Sequence, residues 1–248
     1  MTVVAATATS STGDPLLSLH GISKAYRSPG ETTTVFTDLN LELYRGEITC
    51  LLGASGCGKS TLISMIAGLL IPDSGRLQFD GHDVGELTDT ERAHLRATRI
   101  GIVLQSGNLV PFLTASENVA LAIRLAGSEP DPDRVAALLD QVGLEGRADH
   151  LPRRLSGGEA QRVALAVSLA NDPALLLADE AVGQLDSDTA ANVLDFFRQA
   201  CDERGLAVLL VTHSEEVAAL GSRIIRLKDA TRSPAGIPVE DAQPAVTS

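Results

Sequence analysis

Four stretches of the chain are apolar almost without interruption: ITCLLG (48–53), IGIVLQ (100–105), ALLLADE (174–180) and AVLLVTHS (207–214). None alternates polar with apolar positions. Runs of this length predict strands buried on both faces, the arrangement of a parallel sheet covered by helices. Elsewhere the period changes. STLISMIAGLL, LTDTERAHLRAT, TASENVALAIRLAG and DPDRVAALLDQVGLEG read as helices, the last two with apolar residues at 3.6-type spacing and set apart by Pro130 and Pro132. The pattern predicts an α/β core carrying an all-helical insertion over about 107–165. Thr88 with Glu91, and Ser156 with Glu159, have the spacing of capping boxes at helix starts. Residues 1–15 are rich in Ala, Thr and Ser, and 231–248 in Pro and small residues, so both read as flexible tails.

Each apolar run ends in glycine or a polar residue: Gly53, Gln105, Asp179 with Glu180, and His213. Ligands of open parallel sheets sit at the carboxyl ends of the strands. One sheet edge is therefore expected to gather a glycine loop, an amide, two carboxylates and an imidazole.

The glycine loop is GASGCGKST, made of Gly53, Ala54, Ser55, Gly56, Cys57, Gly58, Lys59, Ser60 and Thr61. It fits G-x-x-x-x-G-K-[ST], and it lies between a predicted strand and a predicted helix, as that motif requires. Its glycines let successive N–H groups face phosphate oxygens, and the helix start adds its positive dipole end. Lys59 supplies a point charge to the β and γ phosphates, and the Ser60 hydroxyl can ligate Mg²⁺. Lys59 is one of only three lysines among 20 basic residues, which argues against a random surface charge. Cys57, inside the loop, is expected to present a thiol of lowered pKa whose alkylation blocks nucleotide binding.

After ALLLA, Asp179 is placed to hold Mg²⁺ and Glu180 to act as general base on an attacking water. Gln105 can ligate Mg²⁺ or orient that water. His213 can donate a hydrogen bond to the γ-phosphate.

Composition narrows the class. The chain has 248 residues, 44% of them hydrophobic, enough for a large buried core. Its net charge of −12 argues against nucleic-acid binding, which depends on cancelling phosphate charge. Cys50, Cys57 and Cys201 show no metal-site spacing, and their small number suits a reducing compartment. The N-terminus makes a poor signal peptide, and no run approaches the ~18 apolar residues of a membrane span.

LSGGEAQR (155–162) is a second glycine-bearing helix start, this one without lysine. Glycine weakens a first turn, so Gly157 and Gly158 after Ser156 point to bare N–H groups approached by an anion. The chain's own phosphates belong in the other loop, with helices intervening. The economical solution is a second copy, head to tail, whose LSGGE helix start covers the nucleotide.

Taken in order, GASGCGKST, Gln105, LSGGEAQR, LLLADE, GQLD and VTHS resemble an ATP-binding cassette (ABC) ATPase, over roughly residues 16–228. The resemblance implies a P-loop NTPase core with a mostly parallel sheet, an N-terminal antiparallel β-subdomain and a helical insertion, within an ATPase domain spanning 16–230. It implies ATP with Mg²⁺, Tyr26 stacked on adenine, and Asp186 communicating across a homodimer. It also implies an integral membrane permease as partner, hence a cytoplasmic protein peripheral to the inner face of the membrane. ELTDTERAHLRATRIGIVLQ, NLVPFLTASENV and LDSDT are similar to the branch serving lipoprotein release and macrolide export. A non-transport ABC ATPase of DNA repair or chromosome upkeep is the alternative within the family. Ala181-Val182, Gly107 and Ala160 depart from the residues usual in the family at those positions.

Overall fold

The computed structural model describes residues 13–104, 109–180, 187–219 and 221–227. Most of both predicted tails, together with Gln105, Gly107, Ala181, Val182 and Asp186, lies outside the described residues.

All four apolar runs are strands of one parallel sheet: β3 (Ile48–Gly53), β6 (Ile100–Val103), β7 (Leu175–Asp179) and β8 (Ala207–Thr212). Its order is β6-β7-β8-β3-β9, with β9 (Arg223–Leu227) on the outside of β3. A second, antiparallel sheet has the order β2-β1-β4-β5, from β1 (Leu17–Ser28), β2 (Glu31–Leu43), β4 (Ser74–Phe79) and β5 (His82–Asp83). The fold is thus a P-loop NTPase α/β core with an antiparallel β-subdomain formed largely by the N-terminal part of the chain.

The continuous apolar runs follow from where the parallel sheet sits. Cys50, Leu176, Ala178, Val208 and Leu210 point into one core, shared with the helical part of the chain. Their neighbours Leu51, Leu175, Leu177, Leu209 and Val211 point into another, shared with the antiparallel sheet. Because side chains alternate across a strand, both faces must be apolar when both are covered.

Between Leu109 and Leu169 the described elements are helical: α3 (Ala115–Leu125), α4 (Pro132–Gln141), a 3₁₀ turn at Pro152–Arg154, and α5 (Gly157–Leu169). Capping boxes start α2 (Asp89–Arg99) at Thr88 and α5 at Ser156, as their spacing predicts. A third, at Thr114 and Glu117, starts α3. Helix α4 opens with Asp131 as its N-cap and Pro132 in its first turn, where proline's missing N–H costs nothing. The remaining helices are α1 (Lys59–Ile66), α6 (Ser187–Arg204) and α7 (Glu215–Ala218). Among the described residues, no helix is long and apolar enough to cross a membrane.

Candidate active site

The loop after β3 is built to leave backbone donors exposed. Gly58 caps α1 with φ 98° and makes no side-chain capping bond, and the first turn of α1 carries no acidic residue. The uncapped N–H groups and the helix dipole make that turn an anion site. Glycine is needed at 58 for two reasons. Its φ is left-handed, and an added Cβ would stand 2.7 Å from Val35 Cγ1 and 2.8 Å from Phe36 Cζ of β2. The loop therefore rests directly on the antiparallel sheet.

Lys59 Nζ donates to the carbonyl oxygens of Gly53 (2.6 Å) and Ala54 (3.0 Å), so the ammonium is held over the loop from within. Beside it opens a cavity of about 590 Å³. Ser55, Gly56, Gly58, Lys59, Ser60 and Thr61 line it from the loop, and Asp179, Glu180 and His213 from the neighbouring strand ends. Strand order explains the meeting: β3 and β7 both flank β8, so their carboxyl ends stand on either side of it. Tyr26, on β1, reaches the same region. The residue is 47% exposed and its hydroxyl lies 3.4 Å from Thr61 Oγ1.

Cys57 is the correction. Its side chain is fully buried in the core beneath the loop, and a Cβ at Gly53 would lie 2.6 Å from its Sγ. The thiol packs as a small hydrophobe instead of facing the cavity. Cys50 and Cys201 are also buried, and burial first of all raises their thiols, to about 11 and about 12. Thiol-reagent titration is therefore expected to be slow in the native protein and to reach all three cysteines in denaturant. Rapid labelling mapped to Cys57 without loss of fold would contradict this packing.

Glu180 is held in an uncommon conformation. Its φ is 52°, left-handed for a residue with a side chain. Three bonds hold it. Its N–H donates to Val211 O at 2.9 Å, and its carboxylate takes His213 Nδ1 at 2.7 Å on one oxygen. The other oxygen takes Thr212 Oγ1 at 3.4 Å. Backbone strain of this kind persists where the surroundings over-determine it, and such positions concentrate at active sites. The carboxylate is nearly buried while the His213 ring is 74% exposed. Thr212 is an addition to the sequence-predicted set. Its hydroxyl also accepts from Ser214 N at 3.1 Å, and only the strand register placed it beside Glu180.

Burial pushes the Asp179 carboxyl above its ordinary 3.8, the neighbouring Glu180 adds to the rise, and Lys59 opposes it. A carboxyl with a raised folded pKa holds its proton longer in the native state. Stability is then lost as pH climbs from 3.8 through the folded value, and at pH 7 the full penalty stands. Asp179→Asn is accordingly expected to melt higher than the parent at pH 7, with the difference closing as pH falls toward 3.8. An equal or lower melting midpoint at pH 7 would show that this carboxylate costs nothing.

The glycine-bearing start of α5 is not part of the cavity. Ser156 caps the helix: its hydroxyl accepts from Glu159 N (3.2 Å), and its own N–H donates to Glu159 Oε2 (2.8 Å). Ser156 and Gly157 are exposed, and a Cβ at Gly157 would meet nothing within 4 Å. Among the described residues, nothing in the protomer requires glycine at 157.

Comparison with known proteins gives the family. The ABC transporter model matches residues 36–183. A macrolide export ATP-binding/permease protein MacB of Syntrophobacter fumaroxidans is 41% identical over 88% of this chain, which spans 31% of that protein's length. The lipoprotein-releasing system ATP-binding protein LolD 2 of Caulobacter vibrioides is 39% identical, over 87% of this chain and 96% of its own length. The dimeric cassette MJ0796, solved after hydrolysis with ADP and phosphate bound, superposes with a TM-score of 0.84. It is 34% identical, and the match covers 93% of this chain and all of that one. With a phosphate loop, an Asp-Glu strand end and a histidine brought to one cavity, and with relatives of this identity over nearly the full length, the chain belongs to the ABC transporter family, as an ATP-hydrolysing cassette of a membrane transporter.

Proposed function

We propose that two copies of the chain close head to tail on two ATP molecules, each triphosphate gripped by one copy's loop and sealed by the other's α5 start. The observation that carries this reading is the separation just described. The cavity holds phosphate donors, carboxylates and histidine, while the helix start that invites an anion lies outside it, exposed and sterically open at Gly157. The dimeric state of MJ0796 supports the same arrangement.

In this reading Lys59 and the loop N–H groups from Gly53 to Thr61 bind the phosphates, and the exposed ring of Tyr26 stacks on adenine. Ser60 and Asp179 bring a hydroxyl and a carboxylate, hard oxygen donors, to the one cavity. The strain that burial and Glu180 place on Asp179 is what a divalent cation would relieve, so the donor set fits Mg²⁺. Among the described residues no cluster of three or more His, Cys, Asp or Glu could enclose a metal, and Mg²⁺ characteristically takes phosphate oxygens and waters instead. Bound there, Mg²⁺ neutralises charge developing on the phosphates.

Glu180 takes the proton of the attacking water, and His213, hydrogen-bonded to its carboxylate, keeps it aimed; with hydrogen on both ring nitrogens it would also donate from Nε2 to the γ-phosphate. Gln105 contributes a metal or water contact, and Asp186 passes the state of one site to the other. Both lie outside the described residues, so their roles rest on the family resemblance.

The partner is an integral membrane permease of the lipoprotein-releasing or export type, as the names of the LolD and MacB relatives suggest. The cassette works at the inner face of the membrane, and the charge of −12 supports a reading without nucleic acid. Gly157→Asp tests the composite site. An acidic residue at a helix start is favourable within the protomer, so the variant is expected to fold and bind ATP. Facing a partner's γ-phosphate, the same charge repels, and turnover should fall by about a hundredfold. Lys59→Ala has the opposite defect. Each variant alone is expected to hydrolyse ATP only slowly, while an equal mixture regains turnover through mixed dimers that hold one intact site. A mixture as inactive as its parts would refute the composite site.

A further inference from the structure

Among the described residues three helices open with the same capping box, and one of them differs. In α2 the Glu91 carboxylate takes Thr88 N at 2.7 Å, and in α3 Glu117 takes Thr114 N at 2.7 Å. In α5 Glu159 takes Ser156 N at 2.8 Å through Oε2 and, through Oε1, also Arg147 Nε at 2.8 Å. Among the described residues the other two boxes have no arginine. The Arg147 side chain is half exposed, but its backbone is fixed. It lies in the loop between α4 and α5, closed by the bonds Arg147 N to Leu144 O and His150 N to Arg147 O, both 3.0 Å. That loop is tied to the start of α3 by Ser116 N to Ala148 O and Ala115 N to His150 O, both 2.9 Å.

A glutamate at the α5 start has a cost the other two boxes do not face. If Gly157 and Gly158 receive a partner's γ-phosphate, the Glu159 carboxylate is a like charge beside it. Released from its cap, it can swing over the same N–H groups and compete for them. We infer that Arg147 is a positioning residue for the nucleotide seal: it pins Glu159 back onto Ser156 N and cancels its charge, leaving the α5 start open to the phosphate. The inference rests on the dimer reading above. The Glu159 carboxyl is held down to about 2, first by the Ser156 N–H, then by Arg147 and the Ser156 hydroxyl, the same contacts that hold it on its cap.

The experiment uses the full chain with Glu180→Gln added to stop turnover, and reads ATP-dependent dimerisation by sedimentation. A fluorescent ATP analogue reports protomer binding in parallel. Arg147→Ala is expected to bind the analogue like the parent but to dimerise about tenfold more weakly, the size of one lost charge-assisted contact. Arg147→Lys restores part of the loss. The deciding variant is Arg147→Ala with Glu159→Gln: glutamine still completes the cap but carries no charge, so dimerisation returns toward the parent. A merely structural arginine would not be rescued by removing its partner's charge. A dimerising parent with an unaffected Arg147→Ala, or a double variant no better than the single, overturns the inference alone. A parent that stays monomeric with ATP overturns the dimer reading and this inference with it.

Discussion

Glu180→Gln is expected to lower ATP turnover by about 10²–10⁴-fold, the usual contribution of a positioned general base. ATP should bind as before, and the protein should accumulate as an ATP-bound dimer in gel filtration. The geometry makes the substitution clean. Glutamine has the same reach, can still accept from His213 Nδ1 through its one carbonyl oxygen, gives up only the long 3.4 Å bond from Thr212 Oγ1, and leaves the backbone bond of residue 180 to Val211 O untouched. What it lacks is the basic oxygen. A variant with undiminished phosphate release would move the base elsewhere, and His213, exposed at the same edge, would be the group to examine. A slow variant that remained monomeric with ATP would separate the two halves of the scheme, keeping the base and discarding the sandwich.

Lys59→Ala is expected to act one step earlier. Among the described residues the ammonium is the only lysine charge facing the cavity, and its hold on the Gly53 and Ala54 carbonyls shapes the loop from inside. Loss of a charged donor to phosphate weakens binding by about 1.5–3 kcal/mol, roughly 10–100-fold in affinity. Because the same charge also meets charge that develops during phosphoryl transfer, turnover at saturating ATP should fall by a further ~10²–10³-fold. Titration with a fluorescent nucleotide and phosphate release at high ATP read the two losses separately. Equal affinity in variant and parent would mean that the loop N–H groups alone hold the triphosphate.

The two variants differ in what they should do to the dimer. Glu180→Gln leaves both faces of the sandwich intact and blocks only the step that opens it. Lys59→Ala removes the ligand around which it forms, so its dimer should be scarce even at high ATP.

Much of this protein was legible in its sequence because it is locally encoded. A strand covered on both faces must be apolar at every position, so four runs announced a parallel sheet and, at its edge, Asp179, Glu180 and His213. A capping box spans four residues, and the phosphate motif spans eight followed by a helix; both need only backbone geometry near their own position in the chain. The tertiary structure decided what lies between distant segments. Strand order set β8 between β7 and β3, which put Glu180 against His213, 33 residues on, and both beside the Lys59 loop. The packing of β2 under the loop turned Cys57 inward, where position in the motif alone suggested an exposed thiol. The Arg147–Glu159 contact likewise depends on how the α4–α5 loop folds back on α3, and no spacing rule reports it. Periodicity fixes which face of an element is buried, but which neighbour buries it is settled only when sheets and helices pack, and the site's pairings are of that second kind.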